Sequence, residues 1–346
     1  MNAVNAENKA AAVIALNGEA QAARERVAAD RALLSGLYAL MLRSREIDRV
    51  CAAVDGHWHA AEGEEAVIAA CYAGWRASDW IAPHYRGMVA AAVARGADLR
   101  RLFAGVLGKA TSYSGGRYRS DVCAPIEFKL IGLYSGALGP TLEYAAGAAL
   151  AAKVDGRDGM ALAVFGDGTS SRGNFHEALN LAAVLKLPAV YVCQNNQVAI
   201  STPSASAVSA SSIADRGAGY GIPGVAVDGN DVIALRAALE AAVARARAGG
   251  GPTLVEAQTY RVSGHFASDA APYRDTDELR AWRARDPVAR LRAHLVERGM
   301  LDDAADAALR ESIRAETEAA MAQAKADPDP DRSTLGADAV FAGSAA

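Results

Sequence analysis

Apolar residues recur along this chain with two different periods. From Val27 to about Val54 ("VAADRALLSGLYALMLRSREIDRVCAAV") they return every three or four positions, the spacing of one buried helix face, with Asp30 near the start. A second helix is expected from Glu64 to Arg76. The centre changes rhythm. "GMALAVFGDG" reads as a buried strand, "GNFHEALNLAAVLK" as a helix and "LPAVYVCQNN" as the next strand. "GVAVDG", the helix "DVIALRAALEAAVARARA" and the strand "PTLVEAQTYRV" continue the alternation. Strands separated by helices predict an α/β protein on a mostly parallel sheet with helices on both faces. After Asp275 the pattern is helical again, through "DTDELRAWRARDPVARLRAHLVERG" and from about Asp303 to Ala326.

The rest of the chain divides around this core. Residues 1–26 are Ala-rich and polar and read as an arm or a partner-contacting helix, residues 27–326 as the α/β domain with helical extensions, and 327–346 as a tail lying over a surface. Residues 108–136, rich in Gly, Ser, Tyr and Arg with few periodic apolar positions, predict an ordered loop over a site.

Composition narrows the class without choosing a function. With 51% hydrophobic and 22% charged residues in 346, the chain can bury a large core and is not disordered. A net charge of -4 gives no electrostatic footprint for nucleic acid. No apolar run reaches the ~20 residues that span a bilayer, and the start lacks a basic segment followed by an apolar core. Cys51, Cys71, Cys123 and Cys193 are far apart in sequence with no Cys-x-x-Cys pair. They read as free thiols in a reducing cytoplasm. The expected location is cytoplasmic, with no membrane and no nucleic-acid partner.

The chemistry gathers at two strand ends. "LAVFGDGTSS" delivers Asp167 between Gly166 and Gly168 straight after an apolar run. The flanking glycines can adopt backbone angles closed to other residues and admit a close neighbour. On those ten residues a capped strand-to-helix turn explains the pattern equally well. The next strand ends in Asn195 and Asn196, the latter 29 positions beyond Asp167. In a parallel sheet ligands bind at the carboxyl ends of the strands, so one βαβ unit can set the Asp167 carboxylate beside the Asn196 amide. A carboxylate, an amide oxygen and a backbone carbonyl form a hard oxygen set suited to Mg²⁺. The helix start beyond the GDG turn favours a phosphate. "GDGTSSRG" does not supply the Gly-x-Gly-x-x-Gly of an NAD site.

A Gly-Asp-Gly followed by Asn-Asn at this distance resembles the thiamine-diphosphate-binding motif. The wider stretch "GDGTSSRGNFHEALNLAAVLKLPAVYVCQNNQVAIST" is similar to the alpha subunit of the decarboxylating component of 2-oxo acid dehydrogenase complexes. That family takes in pyruvate, branched-chain 2-oxo acid and acetoin dehydrogenases. The likeness continues in "GEEA" (63–66), "HYRG" (84–87), "GALGPTLEYAAGAALAAK" (136–153), "TYRVSGHFASD" (259–269), "DPVARLRAHL" (286–295) and "ADPDP" (326–330), in the family's order. The resemblance implies a thiamine-diphosphate-binding fold. It further implies Mg²⁺ on Asp167, Asn196 and the Val198 carbonyl, and diphosphate contacts from Gly166, Gly168, Thr169, Tyr85 and Arg86. Gly136 and Leu138 would meet the aminopyrimidine, Leu138 propping the cofactor into its bent form. His265 alone would pass for a surface residue; the resemblance makes it the histidine that orients or protonates substrate and the arriving lipoyl group, a task that an imidazole titrating near neutrality fits. The implied reaction decarboxylates a 2-oxo acid and passes the acyl group to a lipoyl-bearing acyltransferase. A beta subunit, in a two-alpha two-beta heterotetramer, would contribute an activating glutamate.

Departures fall on the substrate side. Many relatives carry Gly-Gly-Ser-Met-His where this chain reads "GGRYR" at 115–119, so Arg117 replaces the serine and Arg119 the histidine. Arginine does not give up a proton near neutrality but can clamp an anion. Arg119 is therefore read as a catalytic, substrate-facing residue. Arg117 and Arg119 together motivate one alternative, a divergent enzyme passing the decarboxylated fragment to another acceptor, as an acyloin-forming carboligase does. A further alternative is a non-catalytic scaffold. Val198 stands where a tyrosine is common, and Phe266 where some relatives have a regulatory serine.

Overall fold

Five strands pair in parallel in the order β1-β2-β3-β7-β6: β1 (Trp80–Ala82), β2 (Ala161–Gly166), β3 (Ala189–Asn195), β6 (Gly224–Asp228) and β7 (Thr253–Gln258). The structure is a computed structural model and describes residues 2–132 and 137–334, with the side chains of residues 2–15 and 334 outside the description. A short antiparallel hairpin, β4 (Val198–Ala199) with β5 (Thr202–Pro203), stands apart from the sheet.

Both faces of the sheet are covered, as the unbroken apolar strands require. Leu162, Val164, Val190, Val192 and Val255 point into one core. That core also takes side chains of α2 (Arg31–Ala52), α3 (Glu65–Tyr72), α4 (Met88–Ala94), α5 (Leu99–Val106) and α10 (Val232–Arg247). The alternate positions Ala163, Phe165, Ala189, Tyr191 and Cys193 point the other way, onto α6 (Pro140–Val154) and α7 (Gly173–Val184). Small residues on α6 (Ala145, Ala146, Ala149) let that helix lie close on the sheet. Two four-residue helical turns, α8 (Ser204–Ala207) and α9 (Gly217–Tyr220), sit in the β5–β6 connection.

The remaining helices are α1 (Asn2–Ala29), which packs on α10, and α11 (Thr276–Arg283), α12 (Pro287–Glu297) and α13 (Asp303–Ala326). Aspartates start several of them. Asp30 accepts from the Leu33 N–H, Asp231 from that of Ala234 and Asp302 from that of Ala305. Caps of this kind contribute about 1 kcal/mol each. The helix expected over 64–76 is shorter, because Gly74 takes a left-handed φ of 73° just past its end. The edge strand β1 and helices α4 and α5 lie outside the stretches read from the sequence, although α5 is amphipathic and capped by Asp98. All four cysteines are free thiols, and among the described residues no helix is long and apolar enough to cross a membrane.

The "DPDP" segment after α13 does more than lie over a surface. Asp327 accepts hydrogen bonds from Arg100 and Thr111, the Ala110 N–H donates to the Pro328 carbonyl (3.0 Å), and Lys109 pairs with Asp329. Gly116 holds a left-handed φ of 79°, and a Cβ there would stand 2.3 Å from Pro330 Cγ. Residues 327–330 thus strap the 108–117 loop down. Gly116→Ala adds about 1–2 kcal/mol of left-handed strain before any clash with Pro330. We expect roughly tenfold faster proteolytic nicking within the 108–119 loop, read by limited proteolysis and mass spectrometry, with the Tm of the sheet core little changed.

Candidate functional site

Parallel pairing of β2 with β3 sets Gly166 opposite Gln194, so the chain leaves both strands at the same edge of the sheet. Beyond β2 it winds into a 3₁₀ turn over Asp167–Ser171, and beyond β3 it enters the β4–β5 hairpin. Successive strand-end side chains point to opposite sides. Asn195 turns away, donating to Glu256 Oε1 (2.7 Å). Asn196 turns toward Asp167. A cavity of about 360 Å³ opens there, lined by Asp167, Asn196, Val198, Gly166, Gly168 and Thr169 from these strand ends. Tyr85, Arg86, Leu138 and His265, each named from the sequence, complete its wall together with His59, His84 and Arg261. Gly136 lies outside the described residues.

Asp167 is buried, and its Oδ2 has no hydrogen-bond partner. Burial pushes its carboxyl up to about 6, and the nearby charge of Glu64 adds to that, while the Gly168 N–H pulls it down. The glycines beside it serve close approach. Gly166 has an ordinary extended φ of -82°, and neither residue takes a positive φ. A Cβ on Gly168 would stand 2.7 Å from Ala199 Cβ, and one on Gly166 3.3 Å from His84 Nε2. The expectation of unusual backbone angles is therefore replaced by one of tight packing under the hairpin and the His84 ring.

Two buried residues that pattern reading left without a role organise the donors. Glu64, fully buried, accepts from Asn196 Nδ2 (3.0 and 3.1 Å) and from Gln194 Nε2 (2.5 Å). Arg261 donates to the carbonyls of Val198 (3.4 Å) and Ile200 (2.7 Å) and to the Tyr273 hydroxyl. Ile200 holds a φ of 56°, a costly conformation for a β-branched residue, which the Arg261 contact helps to maintain. "GEEA" and "TYRV" marked these stretches, but neither carries a signal for a buried carboxylate or guanidinium.

Arg86 is 1% exposed. It donates to the carbonyls of Ala60 and His265, with its Nε 3.5 Å from Glu64. Tyr85 lies against the rings of His84 and His59, at 4.2 and 5.0 Å between centroids. His265 is half-buried, its backbone N–H donating to Asp269 (2.7 Å), its Nδ1 unpartnered and its ring 4.9 Å from that of His59. Burial and the Arg86 charge pull His265 down to about 4 and His59 to about 3. His265 is thus neutral at pH 7, and the expected titration near neutrality is not found.

Arg119 stands beside this cavity without lining it. Its guanidinium is held between Asp121 (3.0 Å) and Asp55 (2.5 Å), while Asp121 and Val122 reach the wall. Asp121 and Asp55 engage its Nε and Nη2.

Among the described residues no three His, Cys, Asp or Glu side chains are grouped to hold a metal. The oxygens at hand are one carboxylate, one amide and one carbonyl, a set that fits a hard cation with open positions rather than zinc.

This arrangement of a parallel sheet, a buried strand-end carboxylate and an adjoining asparagine is a thiamine-diphosphate-binding type of α/β fold. Residues 38–333 match the family described as the dehydrogenase E1 component, and the chain belongs to that family. It is 39% identical over 273 residues to the alpha subunit of 3-methyl-2-oxobutanoate dehydrogenase of Mycobacterium tuberculosis (strain CDC 1551 / Oshkosh), covering 77% of this chain and 71% of that one. It is 42% identical over 223 residues to the alpha subunit of acetoin:2,6-dichlorophenolindophenol oxidoreductase of Bacillus subtilis (strain 168), covering 64% and 66%. To the 2-oxoisovalerate dehydrogenase alpha subunit of the same organism it is 35% identical over 271 residues, covering 77% and 81%.

The depressed imidazoles give a pH signature. Below about pH 6.5, the ordinary value, the unfolded chain takes up protons that folded His59 and His265 refuse, so the contribution of these two residues to stability falls as pH drops toward 4. The raised carboxyls of Asp48, Glu65 and Asp167 act in the opposite direction. Urea midpoints of the wild type and of His59→Gln measured from pH 7 to 4 isolate the histidine: relative to the variant, the wild type should lose stability as pH falls. A slope unchanged by the substitution would mean that His59 is already free to protonate in the folded protein.

Proposed function

We propose that this chain is the alpha subunit of a thiamine-diphosphate- and Mg²⁺-dependent 2-oxo acid dehydrogenase component. The observation that carries the reading is Asp167: a buried carboxylate oxygen without a partner, sharing a cavity with Asn196 and the Val198 carbonyl in a member of this family. A buried charge needs compensation, and a dication bound there would supply it. Asp167, Asn196 and the Val198 carbonyl would hold Mg²⁺.

Gly166, Gly168 and Thr169 would lie along the diphosphate and present backbone groups to it. Arg86 and Tyr85 would face it from the opposite wall. Leu138 would fill the space beneath the cofactor's bend, next to Gly136. When bound, thiamine diphosphate supplies the electron sink that loss of carbon dioxide from a 2-oxo acid requires. The protein's contribution is to orient and enclose. Arg86 and Arg261 balance Glu64 and Asp167, so the wall holds an anion without large net charge. Neutral His265 has one N–H donor, which would meet an oxygen of the acid, and one acceptor nitrogen, which would face an incoming lipoyl thiol. Asp269 fixes its loop by accepting from the His265 and Ala271 N–H groups and the Tyr273 hydroxyl.

Arg119 is better read as a positioning residue. It ties the 115–123 loop to Asp55 and so sets Asp121 and Val122 on the wall. With Nε and Nη2 engaged by Asp121 and Asp55 and no place in the cavity wall, it gives less support to the carboligase alternative that it and Arg117 motivated. The beta subunit would complete the site with its glutamate, and a lipoyl-bearing acyltransferase would collect the acyl group.

The test uses the chain co-purified with its beta partner. Calorimetry should give thiamine diphosphate binding that depends on Mg²⁺, weakened at least about 100-fold in Asp167→Ala. With a 2-oxo acid present, a lipoyl domain should be acylated. No Mg²⁺-dependent heat from the wild-type complex would overturn the reading, as would turnover only with an aldehyde acceptor.

A further inference from the structure

Asn196 has two chemically opposite ends. Its carbonyl oxygen can bind a cation, whereas its NH₂ repels one, and nothing in the bare side chain selects between them. The geometry points to Glu64 as the positioning residue that makes this choice, holding the Asn196 amide so that Oδ1 faces the metal position. This inference rests on the reading of the site as a Mg²⁺–diphosphate cradle.

Both Glu64 oxygens lie within hydrogen-bond distance of Asn196 Nδ2, at 3.0 and 3.1 Å. Gln194 Nε2 also donates to Glu64 and Arg86 Nε lies beside it, so its oxygens are surrounded by donors and meet the NH₂ end of the amide. Oδ1 is left on the other side, where its contact is the Val198 N–H at a long 3.4 Å. Glu64 is itself fixed. Gln194 donates to its Oε2, and Arg86 Nε lies 3.5 Å from its Oε1. The backbone before it is pinned to the end of β7: the Thr259 hydroxyl donates to the Gly63 carbonyl (2.9 Å), and a Cβ on Gly63 would stand 2.5 Å from the Tyr260 carbonyl oxygen. A left-handed φ of 92° at Gly63 and the absence of a side chain let the Glu64 carboxylate reach beneath Asn196. Outer-shell partners of this kind orient metal ligands and typically matter 10–100-fold in affinity.

A buried carboxylate could also serve only to satisfy Gln194 and Arg86, and the test separates the two roles. In the complex with the beta subunit and saturating thiamine diphosphate, free Mn²⁺ measured by electron paramagnetic resonance gives the metal dissociation constant. Glu64→Gln, nearly isosteric, can meet either end of the amide and should weaken Mn²⁺ and Mg²⁺ binding about 10–100-fold. Asn196→Asp has no wrong end. In that background Glu64→Gln should no longer weaken metal binding and should improve it by relieving carboxylate repulsion. Equal losses in both backgrounds, or wild-type affinity in Glu64→Gln, would overturn the inference. The improvement of Asn196→Asp by the second substitution tests it even if Glu64→Gln alone folds poorly. Failure of the wild-type complex to bind the metal at all would instead count against the functional reading.

Discussion

The parallel pairing of β2 with β3 is the constraint from which the site follows. Because Gly166 and Gln194 are partners, Asp167 and the Asn-Asn pair leave the sheet at one edge and one height. The pleat then divides the asparagines, sending Asn195 to Glu256 and Asn196 to the cavity. A one-residue slip would exchange those roles and turn the alternating apolar side chains of β3 toward the wrong cores. The registers that bury Phe165 and Tyr191 on one face and Val164 and Val192 on the other therefore also align the polar donors.

Around those donors the protein arranges charge in a dry place. Asp167 and Glu64 bring two carboxyls into the interior, while Arg86 and Arg261 bring two guanidiniums, each largely engaged with backbone carbonyls. Guanidiniums committed in this way are rigid, so their charge is preorganised rather than recruited. The unpartnered Asp167 oxygen is the exception, costly while nothing is bound. That cost is the physical reason to read the cavity as a binding site rather than as a packing defect.

The segment leading to Asp121 and Val122 is tied down at two places. The Asp327–Pro330 strap grips the 108–117 loop, and Arg119 bridges Asp55 and Asp121 a few residues later. Among the residues that differ from many relatives, Arg119 is thereby a structural tie in the wall. Its effect on chemistry would pass through Asp121 and Val122.

Much was legible in one dimension. The strand–helix alternation of 160–258, the capped helix after Asp30 and the helix over 303–326 follow from local periodicity and propensity. Asp167 and Asn196 follow from spacing within one βαβ unit, and family resemblance extended that reading to Gly168, Thr169, Tyr85, Arg86, Leu138 and His265. Three things needed the folded chain. Glu64 and Arg261 acquire their roles from contacts across 132 and 63 positions, and such separations leave no periodic trace. Arg119 read as an anion clamp because its partners, one 64 positions away, were invisible. His265 read as a group titrating near neutrality because burial and a neighbouring arginine belong to no residue's own type. Residue types and their spacing by themselves determined which groups could carry the chemistry. Tertiary structure decided which way those groups face and what charge they hold, because orientation and desolvation arise only when distant segments exclude water together.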